Sequence, residues 1–227
     1  MRRLLSSRFA NRLPQFVRSM YIQMQETPNP MSMKFLPGVT VVSDSKTYDF
    51  TSAANARQSP LAMRLFRIEG VKSVFVGEDF VTITKRDETV DWALIRPDIF
   101  STLADFFQSG KEAVKSVAAE AGAAEAEEEN ETVSMIKEIL ETRIRPMVQE
   151  DGGDIIYVGF DDGVVKVKLQ GSCTGCPSSS ITLKNGIENM LSFYVPEVKQ
   201  VIEVKTDEDD LVQRELDKFE KSHGITE

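Results

Sequence analysis

Cys173 and Cys176 are the only two thiols in 227 residues, and they stand three positions apart in Leu169-Gln170-Gly171-Ser172-Cys173-Thr174-Gly175-Cys176-Pro177-Ser178. Thiolates are soft ligands, matched to zinc, Cu(I) and iron–sulfur clusters. Two of them fill only half of a tetrahedral set, and the single histidine, His223, lies far along the chain in a charged tail. A metal site built on this pair therefore needs ligands from somewhere else.

The elements around the pair must present it. Val165, Val167 and Leu169 alternate with Lys166 and Lys168, the pattern of a strand with one buried face. After Pro177, the residues Ile181, Ile187, Met190, Leu191 and Tyr194 mark a helix, which Pro196 breaks. Strand, glycine-rich turn and helix in that order place Cys176 near a helix N-terminus. Free N–H groups and the helix dipole stabilise an anion there, which lowers a thiol's pKa. The i, i+3 spacing sets both sulfurs on one side, ~5–6 Å apart if the turn is helix-like. Gly171 and Gly175 let the backbone approach closely and offer N–H donors to bound sulfur. Pro177 fixes the chain and removes a donor that would need a partner.

Several chemistries fit such a pair. A dithiol–disulfide oxidoreductase would use Cys173 and Cys176 as attacking and resolving thiols, although the thioredoxin-type fold demands a surrounding pattern that this chain lacks. Zinc or copper would suit the thiolates without explaining why two are supplied. A purely structural pair would be flanked by apolar residues, whereas the flanks here are Gly, Ser and Thr. Two copies of the pair meeting across a two-fold axis would supply four thiolates, the full set for a [4Fe–4S] cluster. The acidic Asp151-Gly152-Gly153-Asp154 stretch reads as a turn between a helix and a strand, not as an acid/base or metal site. No nucleophile–base pair or phosphate-binding loop is evident, so no enzyme activity is expected.

Composition bounds the setting. The formal charge of −9 argues against a broad nucleic-acid footprint. No run approaches the ~18 apolar residues of a membrane span, and the low cysteine count indicates a reducing compartment. Residues 1–20 differ from the rest: Arg2, Arg3, Arg8, Arg12 and Arg18 are interleaved with apolar residues, and no acid occurs before Glu26. That is the composition of a mitochondrial transit peptide. Its removal would take the charge from −9 to near −14.

The remaining chain divides into two small domains joined by an acidic Ala/Glu-rich linker, an α/β (α+β) arrangement. In residues 21–110, Val39–Val42 is a strand candidate. Ser59-Pro60 is a helix start, with Leu61, Leu65 and Ile68 on one face and Gly70 as the stop. Residues 74–76 and 80–83 form a hairpin around Gly77-Glu78-Asp79. A second helix passes through Trp92, Ile95, Ile99, Leu103 and Phe106, with its start expected near Pro97. Residues 111–131 are Ala- and Glu-rich, a solvated linker. In residues 132–205, Val133, Ile136, Leu140, Ile144 and Met147 make an apolar helical stripe that Pro146 and the Asp151–Asp154 turn end. Strands at 155–160, 165–169 and 198–204 flank the cysteine turn and its helix. Residues 206–227 form a charged tail, in which Leu211, Leu216 and Phe219 suggest a loose amphipathic helix.

Ile144-Arg145-Pro146-Met147-Val148-Gln149-Glu150-Asp151-Gly152-Gly153-Asp154, followed by the Leu169–Ser180 stretch, closely resembles the C-terminal domain of NifU-like (Nfu-type) iron–sulfur scaffold proteins. The first unit resembles the N-terminal domain of the eukaryotic members, through Thr27-Pro28-Asn29-Pro30, Lys34-Phe35-Leu36-Pro37-Gly38, Ser59-Pro60-Leu61-Ala62 and Leu65–Val71. Asp91-Trp92 and Pro97-Asp98-Ile99 continue the resemblance. It implies a carrier in the mitochondrial matrix that holds a [4Fe–4S] cluster shared between two chains, with Cys173 and Cys176 as the ligand pair. It further implies a homodimer when loaded, supplied by upstream cluster-assembly factors. Delivery would be to apo iron–sulfur proteins such as lipoyl synthase and respiratory-complex subunits, with no nucleic acid or membrane partner.

Overall fold

The computed structural model describes residues 21–44, 46–115, 130–174 and 177–204, with side chains of the last segment from residue 182 onward. The 1–20 leader, linker residues 116–129, Cys176 and the tail from 205 lie outside the described residues.

The first unit is an antiparallel five-stranded sheet in the order β1-β2-β5-β4-β3, with two helices. Its strands are β1 (Gln23–Glu26), β2 (Ser32–Leu36), β3 (Tyr48–Phe50), β4 (Val71–Val76) and β5 (Val81–Lys85). Met33, Phe35, Val74, Val76, Val81 and Ile83 point from one face of the sheet into the core. There they meet Leu61 and Leu65 of α1 (Pro60–Leu65), and Ile95, Ile99, Leu103 and Phe106 of α2 (Trp92–Gln108). Ser59 caps α1 as expected, its Oγ accepting from Ala62 N at 3.0 Å and donating to Ala113 O at 2.6 Å. The β4–β5 hairpin also forms where the sequence places it, closed by Gly77 N donating to Phe80 O at 2.9 Å.

Three expectations in this unit are corrected. The first helix ends at Leu65, not at Gly70, and Ile68 lies in the turn beyond it. Val39–Val42 is not a strand: Pro37 and Gly38 end β2, and the N–H groups of Val41 and Val42 both donate to Glu78 O in the hairpin turn. The segment is a loop in which Val39 is 42% exposed and only Val41 and Val42 face the core. The second helix starts at Trp92, five residues before Pro97, because the Asp91 side chain accepts from Ala93 N at 2.9 Å and caps the end there.

The second unit carries β6 (Gly153–Asp161), β7 (Val164–Gly171) and β8 (Gln200–Glu203) in that order, β8 running parallel to β7 after the crossover through α5 (Pro177–Tyr194). Ahead of them stands α3 (Glu131–Ile139), capped by Asn130, then a π-helical turn (Leu140–Ile144) and α4 (Arg145–Glu150). The π turn corrects the expected apolar stripe. Val133, Ile136, Leu140 and Ile144 are buried, but Met147 is 56% exposed and Val148 takes its place at 0%. A π turn holds an extra residue per turn, so the inward face after it moves on by one position. Pro146 does not end the helix; it sits in the first turn of α4, where a missing N–H is tolerated.

The two units touch. Lys34, Phe75 and Thr82 alternate with core residues, so they point from the opposite face of the first sheet, yet they are only 7%, 1% and 1% exposed. The second unit covers them: a Cβ built on Gly171 would stand 2.9 Å from the Phe75 ring, and one on Gly152 would stand 2.8 Å from Thr82 Oγ1. The first sheet is thus buried on both faces, by its own helices and by the neighbouring unit.

Candidate functional site

The cysteine turn leaves the end of β7 at Gly171, whose backbone is left-handed (φ 67°). A side chain at Gly171 would meet both this backbone strain and the Gly152 carbonyl, 2.8 Å from its Cβ. Backbone bonds then shape the turn: Ser172 N donates to Gly152 O at 3.2 Å and Thr174 N to Gly171 O at 3.3 Å. Two hydroxyls support it, Ser172 Oγ donating to Asp151 O at 2.5 Å and Thr174 Oγ1 to Leu169 O at 3.2 Å. The strand–turn–helix order read from the sequence is therefore present, with α5 starting at Pro177.

Cys173 is 4% exposed and packs with the core of the second unit. Its sulfur lies against Gly153, where an added Cβ would stand 2.7 Å from Sγ and 2.6 Å from Gln170 O. Cys176 lies outside the described residues; in the sequence it immediately precedes the first residue of α5. His223 also lies outside them. Among the described residues no group of three or more His, Cys, Asp or Glu is placed to hold a metal ion.

The acidic turn before β6 is structural at its far end. Asp154 is fully buried and its carboxylate is engaged on both oxygens. Oδ1 accepts from Arg145 Nε at 2.9 Å and Ile155 N at 2.9 Å; Oδ2 accepts from Arg145 Nη2 at 3.1 Å and from Thr47 Oγ1 of the first unit at 2.5 Å. Burial pulls the Arg145 pKa down, but the hydrogen bonds and charges of Asp154 and Glu141 more than offset it, so it stands above its ordinary value. A carboxylate so occupied anchors the start of β6, and with it Gly153 behind the Cys173 sulfur.

Residues from the first unit reach the same region; the sequence marks Asn29 and Lys34 only within the resemblance of the first unit, not as neighbours of the cysteine turn. Asn29 Nδ2 donates to Ser172 O at 2.9 Å, one residue before Cys173. Lys34 Nζ donates to Gln149 O at 3.0 Å and Glu150 O at 3.3 Å, at the carbonyl end of α4. Burial lowers the Lys34 pKa, against the opposing charges of Asp79, Glu150 and Asp151. Asn29 and Ser172 are 143 positions apart, and no local pattern connects them.

Comparison with known proteins agrees with this organisation. The family model described as "Scaffold protein Nfu/NifU N terminal" matches residues 22–110, and "NifU-like domain" matches residues 136–202. The chain is 60% identical over 194 residues to a human protein named "NFU1 iron-sulfur cluster scaffold homolog, mitochondrial", covering 86% of this chain and 76% of that one. A Drosophila virilis protein of the same name is 54% identical over 205 residues, covering 90% of this chain and 68% of its own. The solution structure of a NifU-like protein from Saccharomyces cerevisiae aligns with a TM-score of 0.40 at 27% identity, over 51% of this chain and 97% of that one. Two domains matched in order, and relatives this similar along most of their length, make the chain a member of the Nfu/NifU family of iron–sulfur cluster scaffold proteins.

Proposed function

We propose that the chain is a mitochondrial carrier that holds a [4Fe–4S] cluster between two copies of itself and hands it to apo iron–sulfur proteins. Cys173 and Cys176 of each copy are the four ligands. The observation that carries this reading is the ligand count: a turn built to present thiolates, in a chain with two cysteines and no more. Four thiolates complete a [4Fe–4S] site, and a symmetric dimer is the commonest way to obtain them. The relatives' names support an iron–sulfur cluster and the mitochondrial location, and the Arg-rich, acid-free leader supports import into the matrix.

The cluster is cargo. Transfer is ligand exchange, in which client thiolates form iron–sulfur bonds as those of Cys173 and Cys176 break, with no net change of oxidation state. A chain that supplies half of the ligands loses its hold when the two copies part. Lipoyl synthase and respiratory-complex subunits are the expected recipients, and upstream assembly factors the donors. The chain itself catalyses no covalent chemistry.

Anaerobic reconstitution with iron and sulfide, followed by sedimentation and metal analysis of the same fractions, tests the reading. The expected result is one cluster per two chains in a dimer, with the apo-protein monomeric. Cys173→Ser and Cys176→Ser should each remove two of the four thiolates and abolish stable loading while the fold remains, because serine oxygen is a harder ligand. A monomer carrying a full cluster, or a Cys176→Ser chain that loads normally, would show the assignment to be wrong.

A further inference from the structure

The first unit grips the second beside the ligand turn. Asn29 holds the Ser172 carbonyl at 2.9 Å, the peptide that leads into Cys173. Lys34 spans the Gln149 and Glu150 carbonyls at the end of α4, where a cation is favoured by the helix dipole. Its ammonium also stands 4.4 Å from the centroid of the Phe80 ring. Phe75, beside Phe80 at 5.9 Å between centroids, lies against the Gly171 backbone. In this arrangement Ser172 is 2% exposed and Cys173 4%. A cluster shared by two chains requires the sulfur to be reachable from a second copy, and here Asn29 and Phe75 lie against the turn that carries it.

We propose that the outer face of the five-stranded sheet, through Asn29, Lys34 and Phe75, is a docking surface for the ligand turn, and that it competes with a second copy of that turn. The chain is then closed on its own first unit when empty and paired through the cluster when loaded. This rests on the reading of the turn as an intersubunit ligand site. The contact itself is suited to separation. Thr82 Oγ1, which faces Gly152 across the contact, is buried without a hydrogen-bond partner among the described residues, and so is Gln170 Oε1 on β7 near its junction with β4 and β5. Hydration on opening would satisfy such groups, and polar contacts of this kind between domains open more readily than apolar ones.

Two labelling experiments on the full-length chain decide the matter. In the empty protein, iodoacetamide alkylation of Cys173, read by peptide mass spectrometry, should be on the order of tenfold faster in Lys34→Glu than in the wild type. Lys34 points away from its own unit's core, so the substitution should spare that fold. Asn29→Ala is a second, milder variant that should accelerate alkylation in the same direction, with circular dichroism confirming that both variants are folded. In the wild type, acylation of the Lys34 amine should rise several-fold when the cluster is loaded, as the surface is released. Equal alkylation of Cys173 across folded variants, or a Lys34 equally protected in the empty and loaded forms, overturns the proposal. Failure of the chain to load a cluster at all would refute the functional reading instead, and the alkylation comparison would still decide the docking.

Discussion

Replacing Gly153 with alanine tests how closely the backbone must approach the thiol. Gly153 pairs with Gly171 at the end of the β6–β7 ladder, and it is not among the residues with left-handed backbone. The penalty for a side chain there is therefore steric. The added Cβ would stand 2.7 Å from Cys173 Sγ and 2.6 Å from Gln170 O, whereas carbon contacts settle at about 3.5–4.0 Å. About 1 Å must be found. Gln170 O is backbone in the β6–β7 ladder, so the end of the ladder has to shift as well as the cysteine side chain. Overpacking of this kind costs roughly 1–3 kcal/mol, set against a total stability on the order of 5–15 kcal/mol. The variant should fold and melt roughly 4–8 °C lower for each kcal/mol. Its thiol, displaced by up to about 1 Å, should load cluster poorly, since binding constellations tolerate only about 0.5 Å of error. Thermal melting and anaerobic loading under limiting iron would be measured side by side. Gly159→Ala on the same strand is the control, because among the described residues nothing lies within 4 Å of a Cβ built there. It should match the wild type in loading and be stabilised, if changed at all, by under about 1 kcal/mol. A Gly153→Ala protein that melts and loads like the wild type would refute the reasoning.

The π turn predicts an unequal pair of neighbours: Val148→Ala should cost about 2 kcal/mol in urea unfolding, and Met147→Ala less than about 0.5 kcal/mol. Equal losses would mean that the helix keeps its phase through Leu140–Ile144. The buried Lys34 predicts a pH dependence. Its folded pKa is lowered from 10.5, by burial first, so the folded chain binds fewer protons than the unfolded one in the window between that lowered value and 10.5. Stability contributed by this group therefore rises with pH through the window. Thermal midpoints of the wild type should gain on those of Lys34→Met as the pH is raised towards 10.5; a constant difference would contradict this.

Much of the site was legible before any fold was known. Alternation at Val165, Val167 and Leu169, glycines at the turn and Pro177 after Cys176 specify strand, turn and helix through interactions that span a few residues. Ser59 caps its helix for the same reason, since an N-cap reads three positions ahead. Counting thiols needs no coordinates at all. Periodicity carried less far where a local rule met a tertiary one. Val39–Val42 has the residues of a strand, but its N–H groups are claimed by Glu78 in a distant hairpin. The helical stripe slips from Met147 to Val148 because a π turn, which no apolar pattern announces, takes up an extra residue. The tertiary structure alone decided that Lys34, Phe75 and Thr82 are covered, that Asn29 meets Ser172 and that Thr47 reaches Asp154. The two hydrogen bonds join residues more than a hundred positions apart. They depend on two already folded surfaces being complementary, and the residues on either side carry no local signal of the other.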